Sequence, residues 1–154
     1  MQRKFRILHR CLALFLLLFI STHLAVRFMA IAGPQTHTAA LQSIQGIYRH
    51  PVGEAILVLA IIAQIAVGVR LLRNRMSQNK RSGWATAQLW SGAYLGFFLI
   101  VHTTAAVYTH NIYGLETDFY WAAGSLIVQP LFIWFVPYYF FAIVALFTLS
   151  LIHI

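Results

Sequence analysis

The chain has 154 residues, of which 60% are hydrophobic and only 9% are charged, whereas a soluble domain carries about 25% charged residues. This composition excludes a water-soluble globular protein, because too few polar side chains remain to cover a water-facing surface. The net charge of +8 comes from basic residues at the ends of apolar segments, so we expect membrane lipid and no nucleic acid as partner. The single cysteine, Cys11, cannot form an internal disulfide.

Four apolar segments are each long enough to cross a bilayer as a helix, which takes about 20 residues. They run approximately from Ile7 to Ala32, from Val52 to Leu72, from Ala85 to Tyr108 and from Leu126 to the C-terminus. Strands are not expected, since the strands of a membrane barrel alternate in polarity over about 9–11 residues. The sequence therefore predicts an all-α fold in which residues 1–154 form one integral membrane domain, a four-helix bundle.

The segments between the spans differ in composition. Residues 33–51 are polar and are bounded by the helix-breaking pairs Gly33-Pro34 and His50-Pro51, so they are interpreted as a loop. Residues 72–83 are basic. Residues 111–124 carry two acids and an aromatic set typical of a membrane–water interface: Glu116, Asp118, Tyr113, Phe119, Tyr120 and Trp121.

Basic residues determine the predicted orientation, because they are retained on the cytoplasmic side of a membrane. The opposite side has only Arg27 and Arg49. We therefore expect an antiparallel bundle with both termini in the cytoplasm, in a multi-pass protein of the inner (plasma) membrane. The basic residues that precede the first span or surround the second loop are Arg3, Lys4, Arg6, Arg10, Arg70, Arg73, Arg75, Lys80 and Arg81.

Two features concern the ends of the chain. The basic start, the first apolar segment and Ala30-Ile31-Ala32 are also typical of a cleaved signal peptide. However, the apolar segment continues past His23 and Arg27 before that site, which favours an uncleaved span. The fourth span ends at Leu151-Ile152-His153-Ile154 without a polar or basic anchor, so we expect a truncated version of a longer protein.

Seven histidines are many for a chain with so few other polar groups, and an ionisable residue at membrane depth indicates function. His37 and His50 fall in the first loop and His110 at the outer end of the third span, so they are interpreted as ordinary loop or interfacial residues. His23 lies about 15 residues past the start of the first span, and His102 about 15 residues past a start of the third span near Gln88. At 1.5 Å per residue each distance is about 22 Å, so we expect both residues in the outer half of the bilayer.

Two histidines at one depth on different helices can hold the iron of one haem from both faces. Small and hydroxyl residues beside them favour this hypothesis, because they admit a large ring and orient an imidazole. The same residues are typical of plain helix–helix contacts. Hydrogen bonding between helices, or a proton path, is therefore the alternative. The residues concerned are Ser21, Thr22, Ala25, Gly96, Thr103, Thr104, Ala105 and Ala106.

His9 and His153 form a second group near the predicted inner face. His9 precedes His23 by 14 residues and therefore lies on nearly the same face of the first helix. It could contact a haem propionate or a quinone, but an interfacial residue beside Arg10 is the default interpretation.

Two stretches resemble the succinate dehydrogenase/fumarate reductase cytochrome b membrane-anchor family. Ile7-Leu8-His9-Arg10 is similar to the His-Arg motif that opens the family's first helix. Gln64-Ile65-Ala66-Val67-Gly68-Val69-Arg70 is similar to its His-x-x-x-Gly-[Ile/Val]-Arg motif. The third span, with Ser91-Gly92 and then Phe97 through His102, is similar in layout to the fused single-chain anchors of fumarate reductases.

The resemblance implies a membrane anchor with b-type haem that carries electrons between soluble flavoprotein and iron–sulfur subunits and membrane quinone. It implies that His23 and His102 ligate an outer haem, and that His9 and Arg10 lie near an inner quinone or the haem propionates. The family's second-helix ligand falls on Gln64, and glutamine is not a usual axial ligand. An inner haem, which would pair that position with His153, is therefore not expected, and we predict one haem.

The predicted function is electron transfer by a non-catalytic subunit of an oxidoreductase complex. The alternative is a cofactor-free subunit for membrane transport or assembly, although no inverted repeat supports a transporter. An enzyme acting alone is not expected, because the sequence has no HExxH motif, no nucleotide loop and no intramembrane Ser–His or Asp–Asp set. In the transport alternative, a path would be lined by Gln64, His23, His102, Thr103 and Thr104.

Overall fold

The computed structural model describes residues 2–76 and 83–153, and every regular element in those two ranges is a helix. Lys80 and Arg81 of the predicted basic loop lie outside the described residues. In chain order the elements are α1 (Gln2–Phe28), a 3₁₀ turn (Met29–Ala32), α2 (Pro34–Tyr48), α3 (Pro51–Met76), α4 (Gly83–Asn111), α5 (Phe119–Ile127) and α6 (Leu131–His153).

Four of these helices are long and apolar enough to cross a membrane, as predicted. The stretches are Arg3–Ala32, Pro51–Arg73, Gly83–Asn111 and Leu131–Leu151. Large apolar side chains on them are exposed, for example Leu18 at 71% and Trp134 at 76%. Soluble proteins rarely expose apolar surface on this scale, so hydrocarbon is the solvent that suits these faces. The orientation across the membrane stays a prediction.

The chain divides into two compact units, Met1–Leu71 and Leu72–Ile154. In the first unit, α2 packs on α1 and on the 3₁₀ turn. In the second unit, α4 and α5 pack on α6, where Ala142 and Ala145 are buried. Small residues at such positions allow two helix backbones to approach closely. The buried apolar residues of the first unit are Leu16, Val26, Leu41, Ala60, Ile61 and Val67.

Residues 34–48 form helix α2, where the sequence predicted a loop. Pro34 occupies the start of the helix, where its missing N–H costs nothing and its fixed φ suits the first turn. Gly33 precedes it with φ +109°, a conformation that favours glycine. His37 and Leu41, spaced four residues apart, are buried on one face of α2. The Gly-Pro pair therefore marks a helix start.

The predicted fourth span is broken near its beginning. Helix α5 starts after Asp118, whose carboxylate accepts a hydrogen bond from the backbone N–H of Trp121 at 2.9 Å. The chain becomes extended at Val128, and α6 begins only at Leu131. Pro130 explains the break, since a proline disfavours helical backbone in the residue before it and cannot donate a helical hydrogen bond.

Gly53 lies where the chain turns from α2 into α3. A Cβ atom on Gly53 would collide with the carbonyl oxygen of Ile47 and lie 3.2 Å from the carbonyl carbon of that residue. We expect Gly53→Ala to lower the free energy of unfolding by about 1–3 kcal/mol, because backbone atoms must move. Denaturant unfolding in detergent, followed by circular dichroism, measures this change.

Gly46→Ala is the matched control, since nothing lies within 4 Å of a Cβ at that position in α2. It should raise stability by up to about 1 kcal/mol through helix propensity. Equal stabilities of the two variants would contradict the close approach at Gly53.

Candidate functional site

His23 lies in α1, with its ring stacked on Phe19 one turn earlier in the same helix. The two ring centroids are 6.0 Å apart and the ring planes differ by 27°. Phe19 also contacts Tyr48 of α2 edge to face, with centroids 5.6 Å apart. His23 is partly buried. Its imidazole therefore lies on an aromatic surface that two helices of the first unit build.

His102 lies in α4 of the second unit, in a closely similar environment. Its ring stacks on Phe98, with centroids 5.1 Å apart and planes within 11°. Tyr139 of α6 contacts the same imidazole edge to face, at 6.1 Å between centroids. His102 is also partly buried.

The two histidines share a local arrangement of residues. Each follows a phenylalanine by four positions, which puts both rings on one helix face and lets them stack. Each also lies nine residues before the end of its apolar stretch, at Ala32 and Asn111 respectively. The structure thus gives each histidine the same aromatic neighbour and the same position along its span.

Two tyrosines link α4 to α6 beneath His102. The hydroxyl of Tyr94 donates to the backbone carbonyl of Tyr138 at 3.0 Å. The hydroxyl of Tyr138 donates in return to the backbone carbonyl of Phe98 at 3.0 Å. The rings of Phe98 and Tyr138 are 4.7 Å apart. These contacts hold the aromatic ring on which His102 stacks, and sequence patterns did not identify them because the partners are 40 and 44 residues apart.

Tyr138→Phe should lower the free energy of unfolding by about 1 kcal/mol, because it deletes one partly buried hydrogen bond and keeps the ring. Unfolding in detergent, compared with the wild-type chain, measures the change. Tyr120→Phe is the control, since Tyr120 is 68% exposed and should change stability by less than about 0.5 kcal/mol. A cost for Tyr138→Phe no larger than that of the control would contradict a stabilising role.

His9 and Arg10 differ in their surroundings. His9 is partly buried, and a Cβ atom on Gly68 of α3 would lie 3.6 Å from its Cε1 atom. One turn earlier, the ring of Phe5 lies 4.2 Å from the guanidinium carbon of Arg70. Arg10 is exposed. The start of α1 and the end of α3, which carry the two quoted motifs, are therefore in contact within the first unit.

Two further positions complete the predicted set. His153 is the last helical residue of α6, and its side chain lies outside the part of the chain that is described. Gln64 is partly buried within α3, and its Oε1 atom is buried without a hydrogen-bond donor among the described residues. A buried amide oxygen without a hydrogen-bond donor lowers the stability of the folded chain. A polar partner would therefore bind favourably at Gln64.

His37 is not an ordinary loop residue, so that prediction was wrong. Only 1% of its surface is exposed, because α2 packs it against α1 and the 3₁₀ turn. The Nη1 atom of Arg27 lies 3.1 Å from Nε2 of His37. Arginine can only donate, so Nε2 of His37 is the acceptor in this contact. Arg27 was the sequence feature that could have indicated this contact, since a cation inside an apolar span needs a polar partner.

His50 lies between α2 and α3, which agrees with its predicted loop position, and His110 lies near the end of α4. His50 is exposed, and its Nδ1 atom lies 3.4 Å from the backbone nitrogen of Val52 at the start of α3. His110 is partly buried one residue before the end of α4.

Within the described residues, no group of three or more histidine, cysteine or acidic side chains could hold a metal ion. Bis-histidine haem needs only two such ligands from the protein. In comparisons with known proteins, no family model, no curated protein and no solved structure matches the chain.

Proposed function

We propose that this chain is a haem b-binding membrane-anchor subunit that passes electrons between a soluble redox partner and membrane quinone. The observation that carries the proposal is the repeated Phe-x-x-x-His arrangement of Phe19 with His23 and Phe98 with His102. Both imidazoles are partly buried in apolar helices, where an ionisable ring without a function is disfavoured.

His23 and His102 would be the axial ligands of a single haem. Each histidine lies nine residues before the end of its apolar stretch. If the first and third spans run in the same direction, as their flanking charges predict, this spacing would give the two imidazoles one depth, as one bis-histidine haem needs. The stacked phenylalanines would restrict the plane of each imidazole. Bound haem supplies one-electron transfer, while the chain provides ligation, orientation and an apolar environment.

The proposed quinone and soluble flavoprotein and iron–sulfur partners rest on the resemblance of the two short motifs. The proximity of His9 to Gly68 and the contact of Phe5 with Arg70 support it, because they bring those motifs together in the first unit. Gln64 occupies the position of a family haem ligand, which favours one haem over two.

The test is the reduced-minus-oxidised absorbance spectrum of the full chain, expressed with haem supplied and purified in detergent. We expect a b-type difference band and about one haem per chain. Absence of the band would refute the haem. A haem that is present but not reduced by added quinol would refute the quinone part alone.

The buried Gln64 Oε1 favours a second candidate function, a cofactor-free transport subunit. A polar atom at this depth can contribute to a solute or proton path. In haem-free liposomes, proton or solute flux through the wild-type chain that Gln64→Leu abolishes would support this candidate.

A further inference from the structure

The start of α1 and the end of α3 form an exposed basic surface on the first unit. Arg3, Arg6 and Arg10 lie on one face of α1, within an arc of about 60° around the helix axis. Arg70 joins them from α3, since its guanidinium lies over the ring of Phe5 at 4.2 Å. All four side chains are exposed. We name Arg3, Arg6, Arg10 and Arg70 the arginine cluster.

No acid of the first unit can neutralise the arginine cluster. The whole chain has three acidic residues, of which only Glu54 belongs to this unit. Glu54 lies in the first turn of α3, sixteen residues before Arg70. At 1.5 Å per residue the two are about 24 Å apart along the helix. Like charges three or four residues apart also repel one another, so a bound anion would stabilise this end of the unit.

The contacts between the two helices give the cluster a defined shape. His9 and Phe5 face α3, where they meet Gly68 and Arg70. Viewed along the axis of α1, Arg6 and Arg10 are rotated from His9 by about 60° and 100° in the same direction. They therefore lie to one side of the line along which α1 contacts α3. The positive end of the α1 dipole adds to the attraction for an anion. Both helices are apolar enough to cross a membrane, so lipid is the source of anion nearest to the cluster.

We propose that the arginine cluster binds the headgroup of an anionic phospholipid whose chains lie along α1 and α3. Arginine matches phosphate oxygens with two parallel N–H donors. Clusters of basic side chains where spans leave the bilayer recognise anionic headgroups in this way. This proposal goes beyond the electron-transfer function and does not depend on haem.

The experiment titrates the full chain in detergent with phosphatidylglycerol and, separately, phosphatidylcholine of the same acyl chains, and counts bound lipids by native mass spectrometry. We expect phosphatidylglycerol to bind at least about tenfold more tightly, and Arg10→Gln to lower its affinity about fivefold. Lys4→Gln is the matched control, because Lys4 is exposed at the same end of α1 but lies about 100° around the helix from Arg3, away from the arginine cluster. It should lower the affinity less than twofold, on the order of a distant charge.

Four results would overturn the proposal. Equal affinities for the two lipids would remove the headgroup recognition, and an equal loss in Lys4→Gln and Arg10→Gln would reduce the effect to general surface charge. Displacement of the lipid by millimolar inorganic phosphate would mean that a free anion is the ligand. If Arg10→Gln leaves lipid binding intact but abolishes binding of poly-glutamate, the cluster docks an acidic protein instead.

Discussion

His102→Ala, purified after expression with haem supplied, should retain less than about a tenth of the wild-type haem. Under the proposed function, the substitution would remove one axial bond to the iron and open the site to water. His23→Ala should give the same result if both imidazoles ligate one haem. The haem content per chain, from absorbance after extraction, measures the loss.

Each variant has a matched control in its own unit. His110→Ala alters a histidine two turns further along α4, and His50→Ala alters an exposed histidine immediately before α3. Both should keep the wild-type haem content. If His23→Ala binds haem normally while His102→Ala does not, the two residues are not ligands of the same iron and the proposed pairing is wrong.

His37→Ala should lower the free energy of unfolding by about 3 kcal/mol, the second large effect that we expect. The substitution empties a fully buried site and leaves the partly buried guanidinium of Arg27 without the ring nitrogen that accepts its hydrogen bond. Hydrogen bonds to charged groups contribute about 1.5–3 kcal/mol, and cavity formation adds to the cost. Denaturant unfolding of the detergent-solubilised chain measures the change.

A double-mutant cycle separates the hydrogen bond from the cavity. His37→Ala and Arg27→Ala together should cost about 1.5–3 kcal/mol less than the sum of the two single variants, since the bond is lost only once. Gln42→Ala, at an exposed position of α2, should stay within about 0.5 kcal/mol of the wild type. Additive costs for the two single variants would mean that Arg27 and His37 contribute independently.

The helix ends differ in the kind of signal that specifies them. Proline positions were visible in the sequence, but their effect depended on context. Pro34 starts α2 and Pro130 ends the extended segment before α6, whereas Pro137 lies inside α6. The backbone rule is the same at each proline. Whether a proline starts a helix, interrupts one or lies within one depends on whether the residues after it can bury a helix face. That depends on the parts of the folded chain that pack against them.

The residues of the candidate site also form two groups, those that the sequence identified and those that only the structure revealed. The sequence identified His23 and His102 because charge and depth along a span are one-dimensional properties. It did not identify the reciprocal hydrogen bonds of Tyr94 and Tyr138, nor the contact of His102 with Tyr139. Those contacts join α4 to α6 and have no fixed spacing along the chain.

The sequence by itself determined that this protein has four apolar helices, because span length and the scarcity of charge follow directly from composition. It also showed that His23 and His102 fall inside two of those apolar helices. Only the tertiary structure decided that residues 34–48 are helical and that His37 is buried against Arg27. The physical reason is that burial of a polar side chain is favourable only when a distant residue supplies its hydrogen bond, and local pattern does not encode that partner.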